Sequence, residues 1–294
     1  MTPFHVGERT VQERMGQADI AGRVSRMIRR DIPAVAASFL AEQSMVVLGA
    51  DDGTGRMWAS QLSGPPGFLR AAGAETVLIY ARPQVGDPLR ESLGHTAGVG
   101  LIALQPQRRR RMRINGTTTP EGDGLRIVTD QVYSNCPKYI SRRQIRSYDP
   151  QVVAEPRRAS VLDAQQRSAI AAADTFFLAT ADTEGNADAS HRGGNPGFLQ
   201  VLSPTRLRWP DYRGNSMFMT LGNIAVNPRC GILVPNWATG GSLQLTGTAE
   251  LVWAPQTDDA GVQCSIEFTV TEVVDTSAAG PLRWGPAELS PVNP

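Results

Sequence analysis

Residues 46–69 read VVLGADDGTGRMWASQLSGPPGFL and residues 176–199 read FFLATADTEGNADASHRGGNPGFL, and the two lie on each other without a gap at a constant offset of 130. Leu48, Asp52, Gly55, Ala59, Ser60, Gly64, Pro66, Gly67, Phe68 and Leu69 recur identically. Further along, with short gaps, Ile114-Asn115-Gly116-Thr117 answers Leu245-Thr246-Gly247-Thr248, and Gly100-Leu101-Ile102 answers Gly231-Ile232-Leu233. Two ordered units of roughly 100 residues are too long and too few for a solenoid. The repeat therefore predicts a duplicated domain whose halves face each other as a pseudo-two-fold pair.

Within each unit the local signals are those of strands. Phe176-Phe177-Leu178-Ala179-Thr180 ends in the turn Asp182-Thr183-Glu184-Gly185 and a second run follows, which predicts a hairpin. Ser242 to Trp253 alternates with period two, predicting one buried and one wet face. Many short strands with few helices suggest a barrel. Helices are expected over 8–30, 34–42, 163–173 and 217–226, the last ending before Asn227-Pro228. The polar, Arg-rich stretch 142–162 reads as a linker. The expected organisation is a first half over 1–145 with a helical N-terminal segment, a second half over 160–275, and a Pro-rich tail over 276–294; Pro255 also stands in the proline-bearing end of the chain.

Composition narrows the partners. With 294 residues and 41% hydrophobic content, the chain is long enough for one sizeable core or two packed together. Lys+Arg number 29 against 28 Asp+Glu, so no global field favours nucleic acid or an anionic membrane. The N-terminus lacks an apolar signal core and no apolar run approaches the roughly 20 residues of a membrane span, so a soluble, cytoplasmic protein is expected. Cys136, Cys230 and Cys264, like His5, His95 and His191, are scattered without metal-binding spacing, and no metal is expected. Arg108-Arg109-Arg110-Arg111 with Arg113 is a basic run without interleaved aromatics, which argues against nucleic acid while leaving one of its arginines free to reach a cleft. Gly193-Gly194 and Gly240-Gly241 do not follow the dinucleotide spacing of a Rossmann turn.

In the second half, Asp211-Tyr212-Arg213-Gly214-Asn215-Ser216-Met217, then Gly222-Asn223 and Asn227-Pro228-Arg229, resembles the FMN-phosphate region of the pyridoxamine 5′-phosphate oxidase-like split barrels. So does Ser190-His191-Arg192-Gly193-Gly194 with Pro196-Gly197-Phe198. Together with Phe4-His5-x-Gly7-Glu8-x-x-Val11-Gln12 and Asn135-Cys136-Pro137-Lys138-Tyr139-Ile140, these pieces resemble a bacterial subfamily with an internally duplicated barrel. The resemblance implies a mainly β fold of two tandem split β-barrel halves forming a pseudo-dimer, with FMN in the cleft between them. It further implies cofactor contacts from Ser190, His191, Arg192, Arg213, Gly214, Asn215, Ser216, Gly222 and Asn223. The chemistry of the residues agrees, since a phosphate wants a guanidinium fork with hydroxyl, amide and backbone N–H donors near a helix start. An alternative for Arg213 and Asn215 is the capping of a surface turn.

The first half diverges at the matching place, where Tyr80-Ala81-Arg82-Pro83-Gln84 shows no Arg-Gly-Asn-Ser, so one flavin per chain is expected, with Arg82 as a residual anion site. Lys138, the only lysine, and Tyr139 are candidates to face the flavin ring, with His191 as a hydrogen-bond partner of flavin or substrate; an ordinary turn with Tyr139 packed in the core, and a satisfied structural histidine, are the alternatives. The expected function is an FMN-dependent oxidoreductase acting on a small molecule by hydride transfer at flavin N5, with oxygen or a separate flavin reductase as electron partner. A flavin-binding electron carrier without its own substrate, or a haem- or deazaflavin-binding relative, are the other readings. A monomeric pseudo-dimer or a homodimer fits either.

Overall fold

The structure, a computed structural model, describes residues 3–150, 156–253, 261–277 and 280–294. Pro255 and residues 151–155 of the expected linker lie outside the described residues. The chain opens with α1 (Val6–Arg14) and α2 (Ala18–Val24), then a 3-10 turn at Ser25–Met27 and α3 (Ala34–Ala41). The first half follows as β1 (Met45–Asp51), β2 (Met57–Ser63), β3 (Leu69–Ala71), β4 (Thr76–Ile79), β5 (Ala97–Gln105), β6 (Arg110–Glu121) and β7 (Gly124–Ser134). After β8 (Ile145–Tyr148) and β9 (Arg157–Ala159), α4 (Ala164–Ala171) leads into β10 (Thr175–Ala181), β11 (Ala187–Gly193), β12 (Gln200–Ser203) and β13 (Arg206–Tyr212). Then come α5 (Met219–Val226), β14 (Arg229–Pro235), β15 (Ser242–Val252), β16 (Val262–Thr276) and β17 (Leu282–Trp284).

The two main sheets carry the duplication strand for strand. Their orders are β2-β1-β5-β6-β7-β4-β3 and β11-β10-β14-β15-β16-β13-β12, the same permutation in each half. The sequence identities mark the places where turns and close approaches dictate the residue. Asp52 and Asp182 each accept backbone N–H groups across their hairpins, from Thr54 at 2.9 Å and from Glu184 at 2.9 Å. Gly55 and Gly185 sit beyond them at φ +91° and +87°, a region closed to most side chains. Gly116 and Gly247 occupy equivalent bulges, where a Cβ would strike the facing carbonyls of Val128 and Thr269.

Each half has its own core, one around Trp58, Leu48 and Ile114, the other around Phe176, Trp209 and Phe268. A third cluster joins them, with Met45, Val47, Met57, Ala59 and Ile102 meeting Phe177, Ala179, Ala187, Ala189 and Leu233. The contact is reciprocal: a Cβ on Gly100 would meet Asp188 and Ala189 of β11, and a Cβ on Gly231 would meet Met57 and Trp58 of β2. That burial on both faces explains why β15 keeps its period-two pattern only beyond Gly247, since Leu243 to Thr246 are buried in succession.

Three segments depart from the sequence reading. The helix expected over 8–30 is broken after Arg14, where Gly16 takes φ +63°. β8 of the linker pairs with β17 of the tail, and Leu282 and Trp284 enter the joining core, so both segments strap the halves together. The helix α1, first in the chain, packs on α5 of the second half. Gly7 and Gly222 permit that contact, since Cβ atoms there would lie 2.3 Å from the Gly222 carbonyl and 2.4 Å from Glu8 Cγ. Among the described residues no helix is long and apolar enough to cross a membrane.

Candidate functional site

Period two in β6 and β11 decides which side chains reach the cleft between the halves. On β6, Met112 enters the first core while Arg111 and Arg113 point across to the second half. Arg113 Nη1 donates to Asp188 Oδ2 at 2.9 Å, and both residues are buried. Asn115, Tyr133 and Thr220 add longer donations to the same carboxylate, at 3.3, 3.4 and 3.4 Å. Arg111 Nη1 donates to His191 Nδ1 at 2.7 Å, and Arg111 Nε donates to the Cys136 carbonyl at 2.9 Å. The basic run thus sends two arginines into the cleft. Arg108 and Arg109 turn instead to Glu42 and Glu288.

On β11, Ser190 and Arg192 face the start of α5, and His191 faces the opposite way, edge-on to Phe177. Ser190 Oγ lies 3.1 Å from Thr220 Oγ1. Arg192 pairs with the buried Asp211 at 3.2 Å. These two line a cavity of about 60 Å³ together with Arg113, Gly214, Asn215, Ser216 and the first turn of α5. Asn215 Oδ1 accepts the Met217 backbone N–H at 3.1 Å, and Ser216 Oγ donates to Gln17 at 2.6 Å. Ser216 and Phe218 both have positive φ, the backbone kinks that aim the cavity wall inward. Arg213 is exposed beside the cavity, and among the described residues it has no carboxylate partner.

Tyr139 crosses between the halves. Its hydroxyl donates to the Arg213 carbonyl at 3.1 Å and its ring lies 5.2 Å from Tyr212. Lys138 is exposed and lines none of the cavities described here. Gly222 packs on Glu8 of α1, and Asn223 lines a separate cavity: its Oδ1 is 2.9 Å from His5 Nε2 and its Nδ2 donates to Thr180 at 3.0 Å. That second cavity, about 260 Å³, is bordered by Glu8, Asp130, Asp182 and Asp188.

Burial sets the electrostatics. His191 is pushed well below the ordinary histidine value by desolvation and by the charges of Arg111 and Arg192, so its ring is neutral. Since Arg111 can only donate, His191 Nδ1 accepts and the proton sits on Nε2. Arg111 itself is pushed down to about 9 by burial and by its arginine neighbours, and stays charged at neutral pH. Asp211 is raised by burial, against the pull of Arg192 and Arg113. Burial also pushes the Cys230 thiol up to about 12, which leaves it an inert core residue.

Among the described residues four buried side-chain nitrogens find no acceptor: Arg113 Nε, Arg192 Nε, His191 Nε2 and Trp209 Nε1. The first half's counterpart differs. There Asp87, on the loop after β4, accepts from Ser60 at 2.6 Å, from the Leu89 N–H at 2.8 Å and from Gln244 at 3.1 Å. Arg82 donates to the Gly122 carbonyl at 2.8 Å, and a 3-10 turn at Ser92–Gly94 stands where the second half has α5. Gln244 occupies in β15 the place that Arg113 has in β6, one residue before the matched Leu245 and Ile114. Sequence reading missed the Arg113–Asp188 pair, whose signal is this break in the repeat: Gln244 and Trp58 stand at the matching positions.

Two fused half-barrels with a polar cleft between them and a phosphate-sized cavity on one side define a duplicated split-barrel protein. Residues 162–277 match the family model described as Pyridoxamine 5′-phosphate oxidase. Among solved structures, HupZ of Group A Streptococcus is 12% identical, with 41% of this chain and 98% of that chain covered at TM-score 0.34. An FMN-binding protein from Syntrophomonas wolfei is 12% identical over 37% of this chain and 82% of that one, TM-score 0.29. A FAD-binding protein from Mesorhizobium loti is 15% identical over 42% and 97%, TM-score 0.29. No curated protein matches the chain in sequence.

Proposed function

We propose that the chain is an FMN-dependent oxidoreductase that holds one flavin in the cleft between its halves, on the α5 side. The observation that carries this reading is the pair of buried guanidinium nitrogens without an acceptor, Arg113 Nε from the first half and Arg192 Nε from the second, on two residues that border one cavity. A buried donor without a partner costs about 1–3 kcal/mol, and phosphate and ring-carbonyl oxygens are the acceptors that would remove the cost. The cavity, about 60 Å³, has the volume of about two waters, which suits a phosphate and not a tricyclic ring. A flavin ring would have to be held outside it, by other side chains of the cleft.

Arg192, Arg213, Gly214, Asn215 and Ser216 hold the phosphate, aided by the positive end of α5, and Ser190 keeps Thr220 in place beside it. Asp211 competes for Arg192, so binding requires the guanidinium to share its fork between carboxylate and phosphate. Bound flavin supplies hydride transfer at N5. Neutral His191 offers a proton at Nε2 and Arg111 fixes its orientation, while Tyr139 ties the first half to the Arg213 backbone. Fluorescence titration of flavin-free protein with FMN is expected to saturate at one flavin per chain. Arg192→Ala is expected to weaken binding at least about ten-fold, since a charged hydrogen bond is worth about 1.5–3 kcal/mol. Absence of FMN binding, or equal affinity in the variant, would overturn the reading.

A further inference from the structure

A third cavity, about 450 Å³, opens on the first half between α3, the 3-10 turn before it, and the start of β6, away from the phosphate-sized cavity. Its volume falls in the range of organic-ligand sites. Met27, Val35 and Phe39 form the apolar wall, and Met27 and Val35 remain 48% and 69% exposed at the rim. Arg110, Arg111 and Asn135 form the polar end.

Charge is unbalanced here. None of the lining residues is a carboxylate. Arg29 and Arg109, which also line it, are paired with Asp31 at 2.6 Å and with Glu288 at 3.0 Å. Arg110 lies over the Phe39 ring at 4.9 Å, whereas Arg111 points across the cleft and donates to His191 and the Cys136 carbonyl. Among the described residues neither Arg110 nor Arg111 has a carboxylate partner. Asn135 Oδ1 is buried without a donor.

We propose that this cavity binds an apolar monocarboxylate, its anionic end at Arg110 and its hydrocarbon or aromatic body along Met27, Val35 and Phe39. A guanidinium fork matches a carboxylate in plane and charge, and the exposed Arg110 fork has no counter-charge among the described residues. Asn135 Oδ1 takes a hydrogen bond from a hydroxyl or N–H on the ligand when it has one. The inference does not rest on the flavin reading.

The probe is 8-anilinonaphthalene-1-sulfonate, an aromatic anion, followed by its fluorescence and displaced with sodium octanoate or, as the neutral control, 1-octanol. One saturable probe site is expected, displaced by octanoate at a concentration at least about ten-fold lower than by octanol, the worth of a charged hydrogen bond. Arg110→Ala, at an exposed residue, and Val35→Asp, which sets a negative charge at the rim, are each expected to weaken probe binding about five-fold or more, with circular dichroism unchanged. Arg192→Ala, in the phosphate-sized cavity, is expected to leave it unchanged. Equal displacement by octanol and octanoate, wild-type probe affinity in both rim variants, or loss of the probe in Arg192→Ala overturns the proposal.

Discussion

Replacing Arg113 by methionine keeps most of the side-chain length and removes the guanidinium that reaches Asp188 across the cleft at 2.9 Å. Arg113 is 7% exposed and Asp188 3%, so water cannot take the place of the lost charge. Asp188 would keep only its donations from Asn115, Tyr133 and Thr220, all between 3.3 and 3.4 Å. Breaking a buried pair from one side costs about 3–5 kcal/mol, most of it from stranding the other charge. For a chain of this size, at roughly 2 °C per kcal/mol, the melting temperature is expected to fall by about 6–10 °C. Arg113→Met with Asp188→Asn removes the stranded charge as well and is expected to recover at least about half of the loss. The exposed pair Arg126–Glu121 is the control, and Arg126→Ala is expected to cost less than about 1 kcal/mol. Differential scanning calorimetry measures all three. If Arg113→Met melts within about 2 °C of wild type, or the double variant melts below the single one, the cleft is not held by a desolvated ion pair and the burial argument fails.

Asp211→Asn removes the carboxylate that competes for Arg192 and is expected to tighten FMN binding several-fold by fluorescence titration; weaker binding would mean that Asp211 instead positions the guanidinium. Burial holds the Glu8 carboxyl protonated up to about 8 in the folded chain, against 4.5 in the open one, so the folded state binds the extra proton and stability falls as pH rises through that window. Glu8→Gln is expected to flatten that fall in urea titrations between pH 5 and pH 8, and an unchanged slope would place the effect elsewhere. Gly222→Ala puts a methyl group against Glu8 and is expected to cost more than about 2 kcal/mol by parting α1 from α5, whereas Gly214→Ala, in open space at the cavity mouth, is expected to cost much less in the same denaturation assay.

The sequence by itself determined the duplication, the mainly β fold and the strands, because its identities fall where local geometry leaves no choice. Asp52 and Asp182 close hairpins, Gly55 and Gly185 take positive φ, and Gly116 and Gly247 admit a facing carbonyl. The segment Asp211 to Ser216 and the pair Ser190 and Arg192 were legible as one region from their order along the chain; Arg192, Asp211, Gly214, Asn215 and Ser216 border one cavity, and Ser190 touches Thr220 beside it. Only the tertiary structure decided the rest. Arg111 and Arg113 stand some eighty residues from the side chains they meet, and which arginine of the run crosses the cleft depends on the phase of β6 against β11. Gly222 and Asn223 follow Arg213 to Ser216 closely in sequence, yet one helical turn carries them round to α1. The tail's place in the joining core follows from β17 pairing with β8, a contact over more than a hundred residues that no local pattern encodes. Hydrogen bonds and turns within a few residues are written locally, while the pairing of buried charges and the closing of a cavity need two distant surfaces to meet.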